Sequence, residues 1–183
     1  MAAQKKLIDL SPVGLNFHIK KTAADTNGEA LELEWEVFPG HEGTPVHTHP
    51  HASESYRVLE GEMEVYVDGE WSTLTAGESA TVEKGIPHTF RNLSETTARV
   101  HNIHSPAYKM QDYFEELETM IHSGAFNPPD VDFKAILHLC LLMTLYPQEI
   151  RQVQPPPPVV SMLAFLARIL GYKKNIRPTN GKV

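Results

Sequence analysis

The sequence predicts a mainly β protein, a sandwich or barrel of short strands followed by an α-helical extension. Two observations carry that prediction. From about Phe17 to Ser105 apolar and polar residues alternate, with turn signals about every ten residues. Beyond Pro106 the strand signals stop and three segments with helical periodicity follow. The chain has 183 residues, enough for one core and an appendage, so residues 1–107 are assigned to the barrel and 108–183 to the extension. A hydrophobic fraction of 41% and a charged fraction of 21% exclude a disordered, fibrous or disulfide-rich class.

In the β region, Leu31, Leu33, Trp35 and Val37 alternate with Glu32, Glu34 and Glu36, which gives one buried and one wet face. Met63, Val65 and Val67 repeat the pattern, and Asp68-Gly69 supplies a tight hairpin turn. Further turns at Asn27-Gly28, Pro39-Gly40, Glu60-Gly61-Glu62, Ala76-Gly77 and Lys84-Gly85 bring the expectation to about eight strands. The first helix, Met110 to Ser123, places Met110, Phe114, Leu117 and Ile121 on one stripe and ends at Gly124. A second runs from Val131 to Tyr146 with Asp130 as its cap, and a third from Val159 to Leu170 after a stiff connector of four prolines. The last two are apolar nearly all round and require cover, on the barrel or in a homodimer seam.

Composition narrows the chemistry. With Cys140 as the sole cysteine, an intrachain disulfide and a thiolate zinc finger are excluded, whereas ten histidines favour an imidazole site. The net charge of −7 argues against a nucleic-acid partner. It is unevenly spread. The first 107 residues hold eight basic and sixteen acidic groups, and residues 151–183 hold six basic groups and no acidic ones. Peripheral contact of that basic end with an anionic membrane is the lesser expectation, below packing on the barrel. The N-terminal stretch has no apolar run of signal-peptide length and no run reaches spanning length, so a cytoplasmic location is expected.

The informative segment is residues 40–61. His47 and His49 sit at i and i+2 on one strand face, and Glu54 follows on the next strand after a loop around Pro50. His88 comes just after the Lys84-Gly85 turn. Three imidazoles and a carboxylate on facing strands can converge on one divalent ion at about 2.0–2.2 Å and leave positions open.

These residues resemble the two motifs of the cupins. The first motif, histidines at i and i+2, then a glutamate and a glycine, is matched from His47 to Gly61, although Gly40 lies one residue too far upstream. The second is matched from Gly77 to Asn92, with Glu83 where the motif has proline. The resemblance implies a double-stranded β-helix, or jelly-roll, barrel. It implies His47, His49, Glu54 and His88 as ligands of one divalent transition metal (Fe, Mn, Ni, Co, Zn or Cu). It also implies a small-molecule ligand and activities such as those of quercetinase-like dioxygenases, with isomerases, decarboxylases and non-catalytic acid- or sugar-binding cupins as alternatives. Glu54 is the catalytic candidate, because a carboxylate can serve as ligand and general base in turn. Strand parity puts Tyr56, Phe90 and Asn92 on the metal-side face, with Trp35 and His104 as further substrate-facing candidates; with Arg99 toward solvent, Asn102 faces inward alongside His104. His41 and His51 are ambiguous, while His18, His101, His122 and His138 read as surface or structural residues.

Overall fold

The computed structural model describes residues 6–126 and 132–172. In chain order the strands are β1 (Leu7–Leu10), β2 (Leu15–Lys21), β3 (Leu31–Val37), β4 (His47–Thr48), β5 (Ser53–Glu60), β6 (Glu62–Val67), β7 (Glu70–Thr75), β8 (Ser79–Val82), β9 (His88–Arg91) and β10 (Ala98–Ser105). They are followed by α1 (Met110–His122), α2 (Phe133–Leu145), β11 (Arg151–Gln152) and α3 (Pro157–Ile169). Two antiparallel sheets form, one ordered β1-β2-β3-β10-β5-β8 and the other β11-β4-β9-β6-β7. Their inner faces share one apolar core that includes Leu33, Trp35 and Val58 from the first sheet and Met63, Val65 and Phe90 from the second.

The alternation read from sequence is the burial pattern. In β3 the residues Leu31, Leu33, Trp35 and Val37 are buried. On its outer face Glu34 meets Lys20 of β2 at 2.7 Å and Arg99 of β10 at 2.8 Å, so the wet side is stitched by cross-strand ion pairs. Asp68 and Gly69, both at positive φ, close the β6-β7 hairpin in the register Val67↔Glu70. Gly61 has φ of 74°, and a Cβ there would lie 2.9 Å from the Thr97 carbonyl oxygen, so the turn between β5 and β6 admits little but glycine.

Three expectations are corrected. The strand pattern starts at Leu7, not near Phe17, because β1 adds an edge strand to β2. Strand signals do not end at Pro106: Arg151 and Gln152 pair with Thr48 and His47, although two residues are too few to show a period. The prolines at 155–158 are only partly a connector, since Pro157 and Pro158 open α3, where a missing N–H costs nothing. The second helix begins at Phe133 with Asp132 as cap, its side chain accepting from the Ala135 N–H at 2.7 Å. The Asp130 cap lies outside the described residues, as do Lys173, Lys174, Arg177 and Lys182 of the basic end. No helix among the described residues is long and apolar enough to cross a membrane.

The extension is tied to the barrel at several points. Glu118 of α1 accepts the Asp9 N–H at 2.6 Å, and Lys6 pairs with Glu115 at 2.6 Å. Buried residues of α1 and α2, among them Phe114, Ile121, Leu137 and Leu141, belong to the same core as the strands.

Candidate metal centre and its cavity

His47 opens β4 and stands directly across from His88, the first residue of β9. Glu54 lies on β5, in the other sheet, one residue into the strand. The barrel brings these together with His49 so that one ligand atom from each lies within 4.8 Å of the others, and all four side chains are buried. The structure therefore assembles the quartet read from the sequence.

The hydrogen bonds say which atoms face the centre. Each imidazole uses Nδ1 on a backbone carbonyl: His47 on Pro45 at 2.9 Å, His88 on Ile86 at 2.8 Å, and His49 on Glu149. A carbonyl oxygen only accepts, so each Nδ1 carries hydrogen and each Nε2 is left with its lone pair. The Nε2 atoms of His49 and His88 lie 3.1 and 2.9 Å from Glu54 Oε2. Lone pairs at that spacing require a positive species among them, a proton or a metal ion. Backbone anchoring of the distal nitrogen is the usual support for metal-binding histidines.

The electrostatics agree with a cation site. Burial, reinforced by the neighbouring imidazoles, brings His47 down to about 3. Burial also opposes charge on His88, but the Glu54 contact outweighs it and raises that imidazole. Burial alone would raise Glu54, yet the charge of the surrounding imidazoles and their hydrogen bonds hold it well below the usual carboxylate range. Glu54 Oε1 accepts the Asn102 side-chain amide at 2.8 Å, which leaves Oε2 toward the histidines.

A cavity of about 790 Å³ opens from this cluster. His47, His49, Glu54, Trp35, Phe90 and His104 line it on the barrel side, and Met110, Tyr113, Phe114, Leu117, Ile121, Leu139 and Met143 form a wall from the extension. The loop from Pro39 to Pro45 also lines it. Within that loop Gly43, at φ of 99°, approaches β9 so closely that a Cβ would sit 2.2 Å from the Phe90 carbonyl oxygen.

The other candidates divide. His104 faces inward as its parity requires; its Nε2 is 3.4 Å from Glu54 Oε1, and burial brings it down to about 3. Trp35 and Phe90 meet at a tilt of 44°, ring centroids 5.0 Å apart, on the cavity wall. Tyr56 is on the inner face but packs beside Trp35 at 5.8 Å and is not among the lining residues; burial raises its phenol well above the ordinary value. Asn92 is placed elsewhere, its amide donating to the carbonyls of Val37 and Thr96 at 2.8 Å, which fixes a loop and not a ligand. His41 lines the cavity and stacks on Phe90, whereas His51 is exposed. Sequence reasoning missed Asn102 as a partner of Glu54, the carbonyl of Glu149, and the α1 stripe as a cavity wall. The stripe itself was visible at Met110, Phe114, Leu117 and Ile121.

Comparison with known proteins fits this geometry. A family model described as a cupin domain matches residues 33–104. The chain is 32% identical over 88 residues to quercetin 2,3-dioxygenase of Bacillus subtilis, covering 46% of this chain and 24% of that protein. It is 40% identical over 50 residues to the HTH-type transcriptional regulator SutR of Escherichia coli, covering 27% of this chain and 28% of the regulator. It thus spans about a quarter of the length of these relatives. Among solved structures, an RmlC-like cupin from Shewanella frigidimarina matches with a TM-score of 0.50 and 30% identity, covering 60% of this chain and 90% of the other. The two facing sheets, the buried histidine and glutamate cluster and these matches place the barrel of this chain in the cupin superfamily.

Proposed function

We propose that the chain is a metal-dependent, dioxygenase-like enzyme acting on a small aromatic or enolic compound. The observation that carries the reading is the convergence of three imidazole lone pairs and one carboxylate oxygen at the end of a largely apolar cavity. The partial similarity to quercetin 2,3-dioxygenase supports it. A divalent transition metal held by His47, His49, Glu54 and His88 would polarise substrate oxygen atoms and exchange electrons. The chain's own residues do the rest. Glu54 stays ionised and is the group placed to take a proton from a substrate hydroxyl. Trp35 and Phe90 offer ring faces to an aromatic body, and the apolar wall from α1 and α2 excludes water.

The test is to load the protein separately with Fe²⁺, Mn²⁺, Ni²⁺ and Co²⁺ and follow oxygen uptake and substrate loss with a flavonol, a catechol and a β-diketone. At least one metal should support turnover, and His88→Ala should remove both bound metal and activity. No consumption across the panel, with the same compounds still bound, would return the site to a non-catalytic binding barrel.

A further inference from the structure

We infer that the ligand of this cavity is an amphiphile, with one singly charged oxygen head at the histidine and glutamate cluster and an elongated apolar body laid against the helical extension. For its head this rests on the metal reading above. For its body it rests on the cavity wall alone.

Size comes first. An apolar cavity of about 150 Å³ takes up benzene. At about 790 Å³ this one is several times larger than a single ring fills. The extension supplies a large part of the apolar lining, through the α1 stripe of Phe114, Leu117 and Ile121 and through Leu139 and Met143 of α2, beside Leu10, Leu15 and Phe17 of the barrel. These side chains offer no hydrogen bonds, so a polyhydroxylated ligand reaching them would lose its water without replacement.

Charge comes second. Among the described residues the lining contains no lysine or arginine, and its two carboxylates are Glu54 at the cluster and Glu42, which is exposed to solvent. Three neutral imidazoles, ionised Glu54 and a divalent ion sum to one positive charge, which a single anionic oxygen balances. A second carboxylate on the ligand would be left unneutralised where it is cut off from water.

Unpaired polar atoms mark the head. Trp35 Nε1 and both ring nitrogens of His104 are buried without a hydrogen-bond partner, and both residues line the cavity beside the cluster. Buried donors and acceptors are normally satisfied. An oxygen head bound at the cluster gives these groups their partners. His41 Nε2, in the loop between residues 39 and 45, is also buried without a partner, whereas Phe114, Leu117, Ile121 and Leu139 of the extension carry no hydrogen-bonding group.

The experiment measures straight-chain monocarboxylates from butanoate to tetradecanoate by calorimetry, with oxalate and galacturonate as controls. One arm uses zinc-loaded protein, because zinc is redox-inert, and one uses chelator-treated protein. Burial of one methylene contributes about 0.8 kcal/mol, about fourfold in affinity. The expected result is a rise of at least twofold per methylene until the cavity is filled, with oxalate and galacturonate weaker than decanoate. Leu117→Trp and Leu139→Trp, on separate helices, should each lower decanoate affinity at least tenfold and leave butanoate binding and zinc stoichiometry unchanged. Affinity independent of chain length in both arms, or tighter binding of oxalate or galacturonate, overturns the inference whatever the variants do. A length dependence that persists in the chelated arm while zinc fails to bind supports the apolar body and instead defeats the metal reading.

Discussion

Asn102 is fully buried and gives its amide to Glu54 Oε1 at 2.8 Å. That contact fixes which carboxylate oxygen faces the imidazoles. Asn102→Leu, similar in size and without the donor, is expected to weaken zinc binding about 10–100-fold, the usual effect of losing such a supporting contact. Competition with a chelator of known affinity reads this out, and unchanged affinity would make the contact purely structural. A second expectation at this scale concerns pH. Burial holds His47 and His104 at about 3 in the folded chain against an ordinary 6.5. As pH falls below 6.5 the unfolded chain takes up protons on both while the folded chain does not, so stability falls from there toward pH 3. Each group contributes up to about 1.4 kcal/mol per pH unit; His88, raised by Glu54, acts in the opposite direction only above 6.5, where the folded chain alone takes up its proton, and adds no slope below. Urea midpoints of chelator-treated protein between pH 6.5 and 5 should therefore decline; a flat profile over that range would contradict the assignment of both imidazoles as buried and neutral. The ligand quartet was legible because spacing along two strands carries it. The inward turn of Asn102 was legible from strand parity, but its bond to Glu54 was not, because that depends on β10 lying against β5 in the register Asn102↔Tyr56, a pairing across 46 residues that no local pattern encodes.

At the scale of elements, alternation identified the strands wherever one face is buried and the other wet, as in β3 and β10. It could not identify β11, whose two residues are held by the partner strand and not by their own periodicity. The expectation that the apolar helices need cover was met unevenly. Val160, Ala164 and Ala167 of α3 are buried, but Met162, Phe165 and Ile169 on its other side are 62%, 62% and 65% exposed. Residues three and four apart form one stripe, and a two-fold axis would bury the same stripe on both partners. The homodimer is therefore proposed to pair α3 with its symmetry mate. Light scattering should give twice the chain mass for the wild type and one chain mass for Phe165→Glu. A wild type that stays at one chain mass at high concentration sinks the proposal.

For the whole molecule the question is whether residues 1–107 and 108–183 fold as two units or as one. A boundary near 107 is plain in the sequence, because period 2 gives way to period 3.6 there. What that change of period hides is how the later segment completes the earlier one. The Glu149 carbonyl orients His49, Gln152 pairs with His47, and α1 and α2 wall the cavity that Trp35 and Phe90 begin. A barrel without the extension would expose that apolar wall to water and leave the His49 ring without its anchor. We therefore expect one cooperative transition. In a Trp71→Phe background, fluorescence of the buried Trp35 reports the barrel and far-ultraviolet circular dichroism reports the helices. Both should show the same denaturation midpoint, and free zinc at a hundredfold over its Kd should stabilise both by about 2.7 kcal/mol. Helices that melt first, with zinc shifting only the barrel signal, would mean that the change of period marks a true boundary between two folding units.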